Sequence, residues 1–335
     1  PVFCSHFGPS LLAQLVVRTL LSPTGSEQRA YPRVMDWVAL TPHDLTDFSG
    51  PPTLFAAYVK VFTKAIGYAI VFVILWAGVN LLLRAMGFGS SICDARRGTW
   101  ALKTAMLVHH GLVTPLALLG IWQDPATMGM YRCFGCSEVA RLMNRDVRPP
   151  LAARALAPVT LGYFIGDLLL LSQWNLTKSG AVENMLMLFH HFASLIVWPA
   201  AVYFDWVARY VIIMLSYEFT SFWLTVLWML SQAGMKKSPW YAIVGMLFTL
   251  SFVAMRVVGA LPQLIAMWHA PPWSVALETA AQPGGIHDWC WIFSSSLVFP
   301  HLLNLFWGVK VVSGFVSMMT GKGTKKGKDT QQKGD

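Results

Sequence analysis

Long apolar segments separated by short polar ones make up most of the chain after residue 54. A helix needs about 20 mainly apolar residues to cross the hydrocarbon core of a bilayer. Seven segments reach that length, and we predict membrane spans at 56–84, 101–122, 155–175, 184–204, 207–231, 240–268 and 289–314. In lipid every backbone polar group needs a partner inside the protein, so helices are the expected form of these segments. The predicted fold class is all-α, a polytopic membrane protein.

The remaining residues divide the chain into parts. The apolar run at 10–21 is too short to cross a bilayer and contains Arg18. We therefore predict a partly irregular N-terminal segment (1–54), a first transmembrane helix with its loop (55–99), a transmembrane domain (100–315) and a basic, disordered tail (316–335).

Composition supports a membrane protein. The chain is 55% hydrophobic and 12% charged, whereas soluble domains carry about 25% charged residues. The formal net charge is +9, but the basic residues lie mainly in loops and in the tail. Such a distribution favours attraction to anionic lipid headgroups. We therefore expect membrane lipids as partners and no nucleic acid.

Basic residues in the loops predict the orientation of the bundle, because cytoplasmic loops are enriched in Lys and Arg. With seven spans, the odd-numbered loops and the tail lie on one side, and they contain Arg84, Arg96, Arg97, Lys178, Lys236, Lys237, Lys322, Lys325, Lys326 and Lys328. We place the N-terminus outside and the C-terminus inside, although five arginines in the second loop oppose this orientation. The glycosylation sequon at Asn175 then lies inside and is expected to be unused.

Five cysteines are present, and only Cys133 and Cys136 have a suggestive spacing. A C-x-x-C pair is compatible with a redox site or with a local disulfide. Zinc is disfavoured, because no second pair of ligands lies nearby to complete four-coordination.

We single out eight ionisable residues inside six of the seven predicted spans: His109, His110, Asp167, His190, His191, Glu218, Arg256 and His301. A charged side chain at the centre of a spanning helix costs about 2.5–3.5 kcal/mol on insertion scales. Contact with lipid is therefore disfavoured, and we expect these residues to face the interior of the bundle.

The depths of these residues agree with one another. At 1.5 Å per residue, His109, Asp167 and His190 lie roughly 12 Å from the inside ends of their helices. Glu218, Arg256 and His301 lie slightly deeper, near the middle of the membrane. Because neighbouring helices run in opposite directions, these residues share a layer, which predicts one polar intramembrane cavity that opens toward the inside. Adjacent residues on a helix point about 100° apart, so at most one histidine of each pair should face a given centre.

Further polar residues share helix faces with the ionisable ones, and we add Tyr163, Ser194, Ser221 and Asn304 as candidate ligand contacts. A buried charge needs a partner, and the predicted partner of Glu218 is Arg256. Two other interpretations remain open: hydrogen bonds that only hold helices together, and a metal site. The metal site is disfavoured, because no His-x-x-x-His or paired-carboxylate spacing is present.

Small residues indicate close helix packing on the third span. Gly162 and Gly166 lie one turn apart beside the stripe that carries Tyr163 and Asp167. Glycines at this spacing allow two helix backbones to approach closely. We therefore expect another helix to pack tightly against this face.

Six pieces of the sequence resemble the TLC-domain family, a membrane fold that includes the ceramide synthases. The pieces are GYFIGD at 162–167, FHHFAS at 189–194, YEFTS at 217–221, MRV at 255–257, LP at 261–262 and LNLFW at 303–307. Their order and spacing match the family over residues 100–315. The resemblance implies a lipid-related protein of the endoplasmic reticulum or another endomembrane.

The resemblance also bears on chemistry. In ceramide synthases a histidine pair and a downstream aspartate pair serve the N-acylation of a sphingoid base by acyl-CoA. The histidine pair corresponds to His190 and His191 here, but the aspartate pair is absent and the chain has SYEFTS at 216–221 instead. This pattern is closer to the non-synthase members of the family.

Two sets of candidate residues follow. The catalytic candidates are His190, His191, Asp167 and Glu218, and the substrate or lipid contacts are His109, Tyr163, Ser194, Ser221, Arg256, His301 and Asn304. A histidine would act as general base or acyl acceptor, and Asp167 or Glu218 would orient its ring. No cofactor is expected, and an enzyme would use acyl-CoA as co-substrate.

We favour a protein that binds, senses or regulates membrane lipids in the polar cavity. The alternative is a ceramide-synthase-like N-acyltransferase, and the second alternative is a proton-coupled transporter of lipids or small molecules. A homodimer is a further hypothesis. A retinal protein is disfavoured, because Lys310 lies near the inside end of the last span and not at its middle.

Overall fold

The computed structural model describes residues 54–88, 95–144, 151–170, 181–203, 208–270 and 296–320. Every regular element in these ranges is helical. The α-helices are α1 (Leu54–Ala85), α2 (Ala95–Gln123), α3 (Pro125–Arg132), α4 (Ser137–Asn144), α5 (Leu151–Leu170), α6 (Ala181–Tyr203), α7 (Ala208–Ser216), α8 (Glu218–Gln232), α9 (Pro239–Phe252), α10 (Leu261–His269) and α11 (Val298–Met319). A 3₁₀ turn (Met235–Lys237) and a π-helical turn (Val253–Val258) complete the described structure.

Seven helical segments of the described residues are long and apolar enough to cross a membrane: α1, α2, α5, α6, α7 with α8, α9 with α10, and α11. The prediction of an all-α, polytopic membrane protein is confirmed. Several predictions lie outside the described residues, namely those for 1–53, Asn175, the first part of the last predicted span and the tail after residue 320. The start of the predicted disordered tail, 316–319, is helical.

Within the described residues, four of the predicted spans differ from the observed helices by a break or by five or more residues at one end. The second helix begins at Ala95 rather than at 101. The last helix continues to Met319 rather than ending at 314. The fifth span is interrupted at Tyr217, between α7 and α8, and the sixth is interrupted by the π-helical turn before α10. Hydropathy does not report such breaks, because the residues on both sides are equally apolar. Single π turns inside helices occur frequently at functional sites.

Two helices form the centre of the bundle. α5 packs against α1, α2, α6 and α7, and α2 packs against α1, α5, α7 and α8. Of the most apolar stretch of α5, 61% is buried inside the protein, compared with 11% for α1 and 17% for α11. The polar residues of α2 and α5 therefore lie in the interior, whereas α1 and α11 present mostly apolar side chains at the perimeter.

The expected close packing at the glycines of α5 is confirmed. A Cβ atom on Gly162 would lie 2.6 Å from the carbonyl oxygen of Ala65, and one on Gly166 would lie 2.6 Å from the ring of Phe72. Both contacts are shorter than any side chain tolerates, so α1 and α5 touch backbone to backbone. This packing fixes the rotation of α5 and thus the direction of Asp167.

The two ends of the bundle are closed differently. We call the end where α1, α5 and α8 finish the inner end, following the predicted orientation, and the opposite end the outer end. At the inner end Arg97 is fully buried, and its Nε donates to Asn80 Oδ1 at 2.7 Å, which joins α2 to α1. At the outer end the second loop folds into α3 and α4.

A buried ion pair holds this outer structure in place. Asp124 caps α3, where its Oδ2 accepts the backbone N–H of Thr127 at 2.9 Å, and Pro125 occupies the first helical turn. Arg209 of α7 donates from Nε at 2.7 Å and from its terminal nitrogen at 3.2 Å to the two oxygens of the same carboxylate. Cys133 and Cys136 form a disulfide between α3 and α4.

Candidate functional site

A cavity of about 620 Å³ occupies the inner half of the bundle. Its deep end, near the middle of the spans, is lined by His110, Tyr163, Asp167, His190, His191, Glu218 and Arg256. Its walls toward the inner end are mainly apolar and include Trp76, Leu102, Met106, Met187, Leu224 and Trp228. The lining of α2 runs from Gly98 to His110, so the cavity extends from the inner end of that helix to the polar layer.

Glu218 is positioned by the break between α7 and α8. It is the first residue of α8, directly after Tyr217. Its Oε2 lies 2.8 Å from His110 Nδ1, and both side chains are almost fully buried. The predicted direct pair between Glu218 and Arg256 is wrong: the nearest ionisable partner of this carboxylate comes from α2.

Arg256 instead donates to neutral acceptors. Its Nε donates to Thr220 Oγ1 at 2.7 Å, and its two terminal nitrogens donate to the Tyr217 carbonyl at 2.9 Å, to Ser221 Oγ at 3.2 Å and to Asn304 Oδ1 at 3.2 Å. At the helix break the Tyr217 carbonyl accepts from the N–H and the hydroxyl of Thr220 as well as from Arg256. The π-helical turn carries the guanidinium that reaches it. The guanidinium therefore ties α8 to α11 and still faces the cavity.

Asp167 and His191 form a looser pair. His191 Nδ1 lies 3.5 Å from Asp167 Oδ2, which is too long for a direct hydrogen bond. The His191 ring stacks on Phe164 with ring centres 4.4 Å apart, and this contact orients the imidazole. Both residues line the cavity, together with Tyr163 on the same face of α5.

His190 lies between this cavity and a smaller one. The smaller cavity, of about 40 Å³, is lined by Ser194, Tyr217 and Asn304 among others, and it shares His190, Glu218, Arg256 and Trp307 with the larger one. It is large enough for a water molecule. Both histidines of α6 line the larger cavity, so the expectation of one inward-facing histidine is wrong for this pair. The cavity is wide enough to reach two faces of α6.

In the histidine pair of α2 only one residue faces the cavity, as expected, but it is His110 and not His109. His110 lines the cavity, whereas His109 is buried behind Tyr163, on whose ring it stacks with centres 4.3 Å apart. His109 lines neither cavity, so its predicted contact with a ligand is not formed in this structure. The reason is the 100° step between neighbours on a helix, which the sequence could not assign to one of the two residues.

Of the two predicted site residues on α11, one lines a cavity and the other does not. Asn304 lines the smaller cavity and bonds to Arg256. His301 is buried but lines neither cavity, so this predicted ligand contact is also not formed. Ser194 lines the smaller cavity, where its hydroxyl donates to the His190 carbonyl of its own helix at 2.9 Å. Ser221 lines the larger cavity.

Lys103 lines the cavity, although the sequence pattern did not predict it as a site residue. Its Nζ donates to Met106 Sδ at 3.5 Å and lies 5.9 Å from the ring centre of Trp228. Among the described residues no carboxylate lies within 4 Å of this ammonium. A signal was present, because Lys103 and His110 are seven residues apart and so lie on the same face of α2.

The arrangement supports acid–base chemistry more readily than metal chemistry. Each histidine near a carboxylate is placed to exchange a proton with a bound group, while the carboxylate orients the ring. Within the described part of the chain, no three His, Cys, Asp or Glu side chains converge to hold a metal ion.

Comparison with known protein families gives one match. Residues 99–313 match the family model of the TLC domain, which is more than half of the chain. No curated protein and no solved structure matches the chain.

Proposed function

The chain belongs to the TLC-domain family, whose members are membrane proteins related to lipids, and from this premise we propose that it binds an amphiphilic lipid in the cavity of the inner half. The binding serves to sense or regulate membrane lipid composition. The observation that carries the proposal is the cavity itself, which combines apolar walls with a polar deep end.

The dimensions of the cavity suit such a ligand. Ligand sites for small molecules are commonly 300–1,000 Å³ in volume, and this cavity measures about 620 Å³. The side chains of Leu102, Met187 and Leu224 offer apolar surface for a chain. The transfer of a chain from lipid to such walls changes its free energy little, so selection falls to the polar groups.

The polar groups distinguish the two ends of the ligand. His110, Glu218 and Arg256 line the deep end and can bond to a hydroxyl, amine or carbonyl. Lys103 lies about 10 Å closer to the inner end, since seven residues of helix separate it from His110. Its ammonium lies near a thioether and an indole ring and interacts with Asp167 at more than 4 Å, so it can still pair with an acidic headgroup.

Occupancy of the cavity can be tested with a matched pair of glycine variants. Gly98 lines the cavity, and Gly78 of α1 does not. Neither has any atom within 4 Å of an added Cβ, so a side chain can begin at both positions without a clash at its first atom. We expect Gly98→Trp to reduce the lipid that co-purifies with the protein roughly tenfold, as measured by native mass spectrometry. Gly78→Trp should leave it unchanged.

Two outcomes contradict the proposal. Equal occupancy in Gly98→Trp and wild-type protein would place the lipid elsewhere on the bundle. Absence of any specific lipid from wild-type protein, after purification in several mild detergents, would remove the basis for a binding function.

A second candidate function is N-acyl transfer from acyl-CoA to a sphingoid base, favoured by the two histidine–carboxylate pairs at the deep end. In this reaction a histidine accepts the proton of the attacking amine, the new C–N bond forms and the thioester C–S bond breaks. Coenzyme A leaves as the thiolate and takes the proton from the imidazolium, which restores the histidine. His190 and His191 are the candidates for base or acyl acceptor. Asp167 would orient the ring of His191, whereas Glu218 lies beside His110.

Turnover separates the two functions. Purified protein is given labelled long-chain acyl-CoA and sphinganine, and amide product is measured by mass spectrometry. Product that falls at least about 100-fold in His190→Ala and His191→Ala identifies an acyltransferase. No product from a protein that retains its lipid supports the binding function.

We also propose residence in the endoplasmic reticulum or another endomembrane, with a role in sphingolipid or wider lipid homeostasis. The support is the family membership together with the disulfide at the outer end, which is typical of a face in an oxidising lumen. Fluorescence microscopy of the tagged full chain against organelle markers tests the location.

A further inference from the structure

The disulfide-bonded turn at residues 133–136 has a construction that neither lipid binding nor acyl transfer uses. It lies at the outer end, after the last residue of α2, whereas the cavity lies toward the first residues of that helix. Cys133 is exposed and Cys136 is half-buried. The bond between them is therefore accessible to thiols in solution from the Cys133 side.

Local bonding favours a reactive sulfur at Cys133. The backbone N–H of Cys136 donates to Cys133 Sγ at 3.2 Å. Cys136 directly precedes α4, and its carbonyl accepts the N–H of Ala140 at 2.9 Å, so the sulfur lies at the N-terminus of this helix. A thiolate released at Cys133 would be stabilised by this N–H and by the helix dipole.

The backbone of the turn stores strain. Phe134 has φ +53° in the left-handed region, where a residue with a side chain is disfavoured, and its side chain is half-exposed, so burial offers little compensation. Gly135 follows with φ +79°. The covalent link between the flanking cysteines and the bond from the Gly135 N–H to the Met130 carbonyl at 2.8 Å hold this pair in place. Opening of the disulfide would remove one of these two constraints.

The turn is also packed directly onto α10. A Cβ on Gly135 would lie 2.5 Å from the Pro262 carbonyl oxygen and 2.9 Å from Ile265 Cβ. The next residue of α10, Gln263, is fully buried and its Nε2 donates to the Tyr217 hydroxyl at 2.6 Å. The Tyr217 carbonyl in turn accepts from Arg256. A continuous series of contacts thus joins the disulfide to the cavity wall.

We propose that Cys133 and Cys136 form a reversible thiol–disulfide exchange site whose oxidation state controls the packing of α10. The reductant is a thiol of the glutathione class or a dithiol protein. Its thiolate attacks Cys133 Sγ, the S–S bond breaks, and the electron pair leaves on Cys136. A second thiolate then attacks the mixed disulfide and releases Cys133, so the reductant is oxidised by two electrons and the two cysteines take up two protons.

The proposal does not rest on lipid binding, and its first test uses chemistry alone. The full chain in detergent, with Cys4, Cys93 and Cys290 replaced by serine, is equilibrated with mixtures of reduced and oxidised glutathione. Free thiols are trapped with a mass-tagged maleimide. We expect zero and two labels as the end states, with a reversible transition between them in the native protein. A bond that opens only after denaturation, or a pair that is never oxidised, overturns the proposal.

The second test measures the coupling to α10. Hydrogen exchange of the backbone amides, followed by mass spectrometry, should rise roughly tenfold over residues 261–269 when the pair is reduced. Residues 54–85 of α1 should not change. The Cys133→Ser/Cys136→Ser variant should match the reduced protein and ignore the glutathione mixture. Identical exchange of α10 in both redox states overturns the control of packing.

A pair of glycine variants separates packing from redox chemistry. Gly135 and Gly234 both have φ near +80°, but Gly234 has no atom within 4 Å of an added Cβ. Gly135→Ala and Gly234→Ala introduce similar backbone strain. Only the Cβ of Gly135→Ala would also clash with Pro262 and Ile265 of α10. We expect faster exchange over 261–269 in oxidised Gly135→Ala and none of this effect in Gly234→Ala. Equal behaviour of the two variants contradicts the proposed contact.

Discussion

The two histidine–carboxylate pairs of the cavity differ in how firmly they are built. Nδ1 of His110 lies 2.8 Å from Oε2 of Glu218, and Glu218 is the first residue of α8. Nδ1 of His191 lies 3.5 Å from Oδ2 of Asp167, and the ring of His191 is oriented by its stacking on Phe164. One pair is closed by a direct contact, and the other leaves a gap beside the cavity.

This difference assigns different roles to the two pairs. The close pair gives the buried Glu218 carboxylate a partner at 2.8 Å, so it contributes to the stability of the fold. The looser pair has unused hydrogen-bonding capacity, and a ligand group can enter between or beside its members. We therefore expect ligand chemistry to depend more on His191 and Asp167, and stability to depend more on His110 and Glu218.

The buried ion pair of Arg209 and Asp124 lies away from the cavity, and its loss is expected to have the largest effect on stability. Arg209→Met removes both hydrogen bonds to Asp124 and leaves a buried carboxylate without its cation. We expect a loss of about 3–5 kcal/mol in the apparent free energy of unfolding, measured by thermal or denaturant unfolding in detergent. Any folded fraction should retain its bound lipid, because the pair does not line the cavity. Loss of lipid at unchanged stability would contradict this separation.

The close pair is tested by a ring-for-ring replacement. His110→Phe keeps the ring volume but removes the nitrogen that contacts Glu218. We expect a loss of about 3 kcal/mol in apparent stability, since the carboxylate loses its nearest partner while remaining almost buried. Glu218→Gln in the same background should restore part of the loss, because an uncharged amide needs less compensation. A loss below about 1 kcal/mol would show that the pair is not tight.

The looser pair should respond less. His191→Phe retains the stacking on Phe164 and removes only the 3.5 Å approach to Asp167. We expect a loss of about 1 kcal/mol or less in apparent stability. Lipid occupancy, or turnover if the protein is an enzyme, should change more than stability does. A stability loss equal to that of His110→Phe would remove the distinction between the two pairs.

The smallest effect is expected at His109, the neighbour of His110 that lines neither cavity. Its Nε2 is buried and has no hydrogen-bond partner among the described residues, and its ring stacks on Tyr163. His109→Phe preserves the stacking and removes an unsatisfied polar atom. Apparent stability should change by less than about 0.5 kcal/mol, with lipid occupancy unchanged. A large loss of occupancy would place His109 in the site after all.

Spans and close-packed faces were predictable because they depend on local sequence. The length of an apolar segment decides whether it crosses a bilayer, and all seven spans follow from it. The glycine pair of α5 similarly signals a close helix contact, and Gly162 indeed touches the backbone of α1. The depth count also placed Asp167, His190 and Glu218 in one layer, since the rise of a helix is constant.

The partners within that layer were not predictable in the same way. The sequence placed Glu218 and Arg256 at one depth, and the structure separates them through the break at Tyr217 and the π-helical turn at Val253–Val258. The hydrogen bonds to Thr220 and Asn304 then occupy the guanidinium. Such breaks depend on how whole helices pack, and no local periodicity encodes them.

By itself the sequence determined the fold class, the set of polar residues inside the membrane and the family to which they belong. Only the tertiary structure decided that His110 rather than His109 faces the cavity, that Lys103 belongs to its lining, and that the cysteine pair rests on α10. The physical reason is rotation: each helix can turn about its axis without changing its length or depth. The packing of α1 against α5 and of α8 against α2 selects one rotation, and that selection creates the site.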